Sequence, residues 1–166
     1  GALWLTAKMA KALWPDANPE TLQLRSGLAP LMLLSGVYWS VFSTMTMFDM
    51  MLAFSTLVSL LGVVGSWRAY VAGQGKKFWL NVVLIGVGLG IGGLSKGPAI
   101  LLHVLPVYAL APLWGTRLTG IRTISWTKWY ASIPLAILIG VGIALGWAIP
   151  AAIVGGPEYR DAIFIG

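Results

Sequence analysis

Long apolar runs, each close to the roughly 20 residues that cross a bilayer as a helix, recur through most of this 166-residue chain and are parted only by short polar clusters. No water-soluble globule is written that way. Charged residues make up 10% of the chain and hydrophobic residues 58%, with a mean hydropathy of +0.84, whereas soluble domains carry about a quarter charged residues. The fold class expected is all-α, a polytopic transmembrane helical bundle.

Gly1 to Trp14 reads as the end of an earlier helix, broken by Pro15-Asp16-Ala17-Asn18-Pro19. About five full spans follow. They run from about Gly27 to Met45, Phe48 to Trp67, Phe78 to Leu94, Pro98 to Trp114 and Trp129 to Pro150. A tight turn near Ser43 to Met47 joins the first two, and Gly155 to Asp161 forms a polar exit after the last. Residues 1–166 form one transmembrane region with no soluble domain. The chain starts at Gly1 and stops within an apolar segment at Phe164-Ile165-Gly166, so it is expected to be a piece of a larger membrane protein.

Short cytoplasmic loops retain Lys and Arg. Lys8, Lys11 and Arg25 fall on one side, joined two spans later by Arg68, Lys76 and Lys77, and after two more by Arg117, Arg122 and Lys128. That side is expected to be cytoplasmic. Asp49, Lys96, Glu158, Arg160 and Asp161 then face the opposite side. Trp67, Tyr70, Trp79, Trp114, Trp126 and Trp129 stand near span ends, where aromatic rings anchor at the membrane interface. The net charge of +6 serves orientation, and no basic stripe for nucleic acid is expected. The chain has no cysteine, which removes disulfides and thiolate chemistry.

Lys96 has no such orientation role. It sits between two apolar segments with almost no loop to carry it into water, at a cost of about 2.5–3.5 kcal/mol on insertion scales. Pro98 suits the first turn of the next helix, whose free amides and positive dipole end would make a phosphate cradle beside the Lys96 ammonium. Snorkelling to the headgroups is the bland reading. Asp49 stands in the first turn of its span with Thr46 three residues earlier, which equally describes a helix-capping carboxylate. If the two converge, Asp49 pairs with Lys96, holds a divalent cation or orients a sugar hydroxyl. Arg160 offers bidentate phosphate contacts, although Glu158, Arg160 and Asp161 also read as an exposed loop. His103 is expected to be packed or bonded to a neighbour. Gly86 to Gly93 lacks the strand and helix context of a nucleotide loop; the spacings Gly86 to Gly90 and Gly142 to Gly146 fit close helix packing instead. No metal-ligand spacing and no catalytic triad is visible.

Three motifs occur in order: Thr46-Met47-Phe48-Asp49-Met50-Met51-Leu52, Gly93-Leu94-Ser95-Lys96-Gly97-Pro98 and Gly156-Pro157-Glu158-Tyr159. Over essentially the whole chain they resemble the bacterial relatives of dolichyl-phosphate-mannose protein mannosyltransferases, including the aminoarabinose transferases that modify lipid A, within the C-type glycosyltransferases. The resemblance implies that Lys96 contacts a lipid-carrier phosphate and that Asp49 lines the same extracytoplasmic cavity. Such families place the leading candidate for the catalytic base on an acidic outer loop upstream of this segment, so the segment alone is expected to be inactive. The implied activity is transfer of a sugar from a polyprenyl-phosphate carrier to a lipid or protein acceptor at the extracytoplasmic face of the cell inner membrane. No cofactor is required with certainty, and a divalent cation remains an option. The competing classes are a transporter or channel, in which intramembrane charges mark a path, and a non-catalytic membrane subunit.

Overall fold

The computed structural model describes residues 2–13, 18–36, 47–119 and 126–164. Among them are seven helices and no strand: α1 (Ala2–Leu13), α2 (Pro19–Ser35), α3 (Met47–Val71), α4 (Gly75–Lys96), α5 (Ala99–Ala109), α6 (Ala111–Thr119) and α7 (Trp126–Phe164). Three of them are long and apolar enough to cross a membrane, over Met50–Val71, Gly75–Lys96 and Trp126–Gly156. The all-α bundle expected from the apolar runs is what forms. The turn at Ser43 to Met47 and the basic loop at Arg122 fall outside the described residues, apart from the start of α3 at Met47.

The polar stretch after Arg68 is almost wholly absorbed into helices. Only Ala72, Gly73 and Gln74 separate α3 from α4. Gly73 adopts φ +68 there, a left-handed conformation open to glycine at little cost, and the Gln74 amide closes the turn on the Ala69 carbonyl at 2.8 Å. The result is an antiparallel hairpin. A Cβ added to Gly62 would come within 3.0 Å of the Asn81 carbonyl, and one on Gly88 within 2.9 Å of the Ser55 carbonyl, so the two backbones touch along their length.

Helix α7 packs on the other face of α4 and runs parallel to it. Gly86 abuts the Ala136 carbonyl and Ile139, and Gly90 abuts Gly140 and Ile143. The Gly86 to Gly90 spacing therefore does what close packing asks of it. Gly142 and Gly146 do not, since nothing lies within 4 Å of a Cβ added to either; the small residue on α7 that matters is Gly140, whose added Cβ would be 3.0 Å from the Leu89 Cβ. Gly90→Leu should accordingly destabilise the bundle by about 1–3 kcal/mol or more through overpacking. Gly142→Leu should leave the thermal midpoint in detergent nearly unchanged, and equal losses in the two variants would refute this packing.

The stretch after Pro98 is interrupted. Pro106 lacks the N–H that α5 would use one turn back, α5 ends at Ala109, and α6 begins at Ala111. The last four carbonyls of a helix have no intrahelical partner, which is costly where water is scarce. Here they are met one by one. The Leu110 amide donates to the Pro106 carbonyl at 2.9 Å, the Trp114 indole to Val107 at 2.8 Å, the Trp129 indole to Tyr108 at 3.2 Å and the Tyr130 hydroxyl to Ala109 at 3.2 Å.

These contacts revise the interfacial reading of the tryptophans. Trp67 and Trp129 are fully buried and lie in one core with Phe78, Val82, Ile85, Val104 and Tyr108. Trp129 meets Trp67 and Tyr108 edge-on, with ring centroids 5.3 and 5.2 Å apart. Trp67 also donates its indole N–H to the Gly115 carbonyl at 3.1 Å. Among the described residues Trp4, Trp79 and Trp147 are the exposed tryptophans. Lipid-facing character is plain on α7, where Leu138, Val141, Leu145, Ile149 and Ile153 form an exposed stripe at helical spacing.

Helix direction fixes where the charges fall. Arg68 in the last turn of α3, Lys76 and Lys77 in the first turn of α4, Arg117 on α6 and Lys128 in the first turn of α7 share one end of the bundle. Lys11 joins them, because the Arg68 guanidinium donates to the Ala12 carbonyl at the end of α1. Lys96 stands at the opposite end.

Candidate functional site

The last turn of α4 is shaped by its own sequence. Ser95 donates back to the Gly92 carbonyl at 2.7 Å, which leaves its hydroxyl occupied within the helix. The Gly97 amide caps the helix on the Gly93 carbonyl at 2.8 Å, and Gly97 adopts φ +61, ψ −142, a region that is nearly glycine-only. Pro98, expected as the first helical residue, instead caps α5 with φ −71, so the helix begins one residue later at Ala99, and the Leu101 amide reaches the Pro98 carbonyl at 3.0 Å. Lys96 is exposed. It lies at the C-terminal end of α4, where the helix dipole favours a cation, and two residues before the N-terminal end of α5, where amides favour an anion. Gly97→Ala should cost about 1–3 kcal/mol of backbone strain, read as a lower thermal midpoint in detergent.

The antiparallel register of the hairpin decides what stands near this turn. Gly88 lies against Ser55 and Ser59, and Gly62 against Asn81 and Ile85. Carried to the end of the hairpin, that register sets the first turn of α3, which holds Asp49, at the level of the last turn of α4 and Gly97. Asp49 and Lys96 therefore belong to the same end of one helix pair. The Asp49 side chain lies outside the described residues.

The register of α4 with α7 treats Arg160 differently. Since Gly86 and Gly90 align with Ala136 to Ile143, Lys96 comes level with the stretch around Gly146 to Ile149. Arg160 follows on the same end but lies about ten or more residues further along, roughly 15–20 Å if the helix ran straight. It does not run straight, because Gly156 breaks it at φ 80, ψ −177. The side chains of Glu158, Arg160 and Asp161 are outside the described residues.

A cavity of about 240 Å³ opens between α4, α5 and α7 directly beneath the turn. Gly93, Gly97, Pro98, Leu101, Gly140 and Ala144 line it. Its walls are apolar, and it reaches the backbone of the two residues that follow Lys96. Gly93, Gly97 and Pro98 belong to the motif already read in the sequence, whereas Leu101, Gly140 and Ala144 were missed, and the four-residue separation of Gly140 and Ala144 is the one signal that pointed to them. His103 is exposed on α5, with Nδ1 2.9 Å from the Ala99 carbonyl of its own helix, so it is bonded to a neighbour as expected. Among the described residues no three His, Asp or Glu side chains come together.

A family model described as dolichyl-phosphate-mannose-protein mannosyltransferase matches residues 23–153. The matched range takes in most of α2, the whole α3–α4 hairpin with Asp49 and Lys96, and α7 up to Ile153; it stops short of Arg160. No curated protein and no solved structure matches the chain.

Proposed function

The chain belongs to the dolichyl-phosphate-mannose-protein mannosyltransferase family, and from that premise we propose that the end of the bundle holding Lys96 and Asp49 binds the phosphate of a polyprenyl-phosphate sugar. The family makes it a membrane glycosyltransferase. The observation that carries the site assignment is the apolar cavity lying against the Lys96-Gly97-Pro98 turn. A single ligand with an isoprenoid chain and a phosphate answers to both features, since the chain takes the cavity and the phosphate takes the ammonium and the first amides of α5.

In the reaction proposed, an acceptor hydroxyl or amine attacks the anomeric carbon of the sugar. The bond from that carbon to the phosphate oxygen breaks, and the lipid phosphate departs with the electron pair. Lys96 stabilises the charge growing on that phosphate, which is the general electrostatic logic of such sites. Asp49 orients the acceptor or takes its proton, and Arg160 supplies a second cation for the phosphate. The active end is extracytoplasmic, on the rule that basic residues stay inside. The acceptor is a lipid, of the lipid A kind, or a protein, and the membrane is the cell inner membrane.

The test is sugar release from a polyprenyl-phosphate donor by the full-length protein in a bilayer. Asp49→Asn, which keeps shape and removes charge, should lower turnover about 10²-fold with the donor affinity little changed. Wild-type turnover in Asp49→Asn would remove that residue from the site. Failure of the wild-type protein with every polyprenyl donor would favour transport or a structural role.

A further inference from the structure

A larger cavity, about 800 Å³, lies at the other end of the bundle, among the basic residues. We propose that it binds an anionic glycerophospholipid of that leaflet, with acyl chains in the cavity and the phosphate at Arg117.

Three observations meet here. The walls come from four helices, with Met9 and Leu13 on α1, Leu60 and Val64 on α3, and Trp114 on α6 among them, and they are almost wholly apolar. Among the described residues Arg117 is the one charged residue of the lining, and it is exposed. The third observation is depth. Arg68 bonds to the Ala12 carbonyl and Trp67 to the Gly115 carbonyl, so the end of α1, the last turns of α3 and the middle of α6 share one level. From there the cavity runs inward to Leu60, eight residues before Arg68, or about 12 Å along the helix.

That arrangement has the polarity of a phospholipid: a cation at the depth of headgroups and a dry recess at the depth of acyl chains. The volume lies within the roughly 300–1,000 Å³ of ligand sites. A free anion would gain Arg117 and nothing from the walls. A zwitterionic lipid would fill the walls but gain less from Arg117, Arg68 and Lys11 at the same end, and basic pockets between membrane helices on one leaflet take anionic headgroups for this reason. The site is at the opposite end from Lys96, so it is independent of the donor assignment.

The experiment uses the purified full-length protein, delipidated and placed in mixed bilayers of phosphatidylglycerol and phosphatidylcholine with matched chains. Retained lipid is then counted by mass spectrometry of the intact complex. Wild-type protein should retain phosphatidylglycerol over phosphatidylcholine by about fivefold or more. Arg117→Gln should bring the ratio near one, and Leu60→Trp, which fills the recess, should lower retention of both lipids. Glycerophosphoglycerol, the headgroup without chains, should not compete. Equal retention of the two lipids by wild-type protein overturns the proposal without reference to any variant. So does an unchanged ratio in Arg117→Gln, full retention in Leu60→Trp, or displacement by the soluble headgroup; the last would mean an anion site without an acyl pocket. Should either variant not survive purification, Val64→Trp takes the place of Leu60→Trp and the wild-type ratio still decides.

Discussion

Replacing Lys96 with alanine is expected to lower kcat for transfer from a polyprenyl-phosphate donor by about 10²–10³-fold, the size of effect seen when one preorganised group facing a developing negative charge is removed. The fold should barely notice. Lys96 is exposed, and a cation at the C-terminal end of α4 is worth about 0.3–1 kcal/mol there. The thermal midpoint should therefore fall by no more than about 2–4 °C. Lys96→Arg keeps the positive charge and should hold activity within about tenfold of wild type, because a phosphate accepts contacts from either cation. Turnover of Lys96→Ala equal to wild type in a bilayer would dismiss the phosphate role and leave Lys96 as a snorkelling residue.

Trp129→Ala is expected to be the most destabilising single change at the basic end, by about 3–5 kcal/mol. In a membrane the gain from hiding apolar surface is weak, because lipid is as apolar as the protein interior. The loss comes from elsewhere. Trp129 is fully buried and touches Trp67, Tyr108, Tyr70 and Phe78; removing it forfeits those dispersion contacts. Its indole also donates to the Tyr108 carbonyl at 3.2 Å, in a helix end cut short by Pro106, where that carbonyl would be left sharing the Leu110 amide with the Pro106 carbonyl. Trp147→Ala is the comparison, since Trp147 is 52% exposed and should cost about 0.5–1 kcal/mol. Thermal unfolding of both variants in the same detergent checks the order, and an equal loss would return Trp129 to the role of an interfacial anchor.

How far the site was readable from residues alone depends on the kind of signal each one sends. Lys96 was conspicuous because a charge between two apolar segments demands a reason. Gly97 and Pro98 next to it announced the break between α4 and α5, since one allows a left-handed φ and the other cannot continue a helix from within. Asp49 was conspicuous in the same way as Lys96. Their placement at one end of the α3–α4 hairpin followed from alternating helix direction, which a count of spans supplies. The far wall of the cavity beside the turn sent no signal beyond the spacing of Gly140 and Ala144. The cavity's walls are glycine, alanine, proline, leucine, isoleucine and valine, residues that recur all along the chain.

Hydrophobic length, the crowding of Lys and Arg into alternate connections, and the Gly-Pro break were enough for the sequence by itself to determine an all-α membrane bundle with a basic end and Lys96 at the other. These are local or compositional properties, and no partner helix is needed to express them. Tertiary structure alone decided which faces meet: Gly86 and Gly90 toward α7, Gly88 toward α3, Gly142 and Gly146 toward neither, and Trp67 and Trp129 into the core rather than the headgroups. The physical reason is that these helices are apolar all round. A helix with no polar face carries no amphipathic stripe to mark the side that packs, so the choice falls to shape, to how closely two backbones can approach, and to which carbonyls still need a donor.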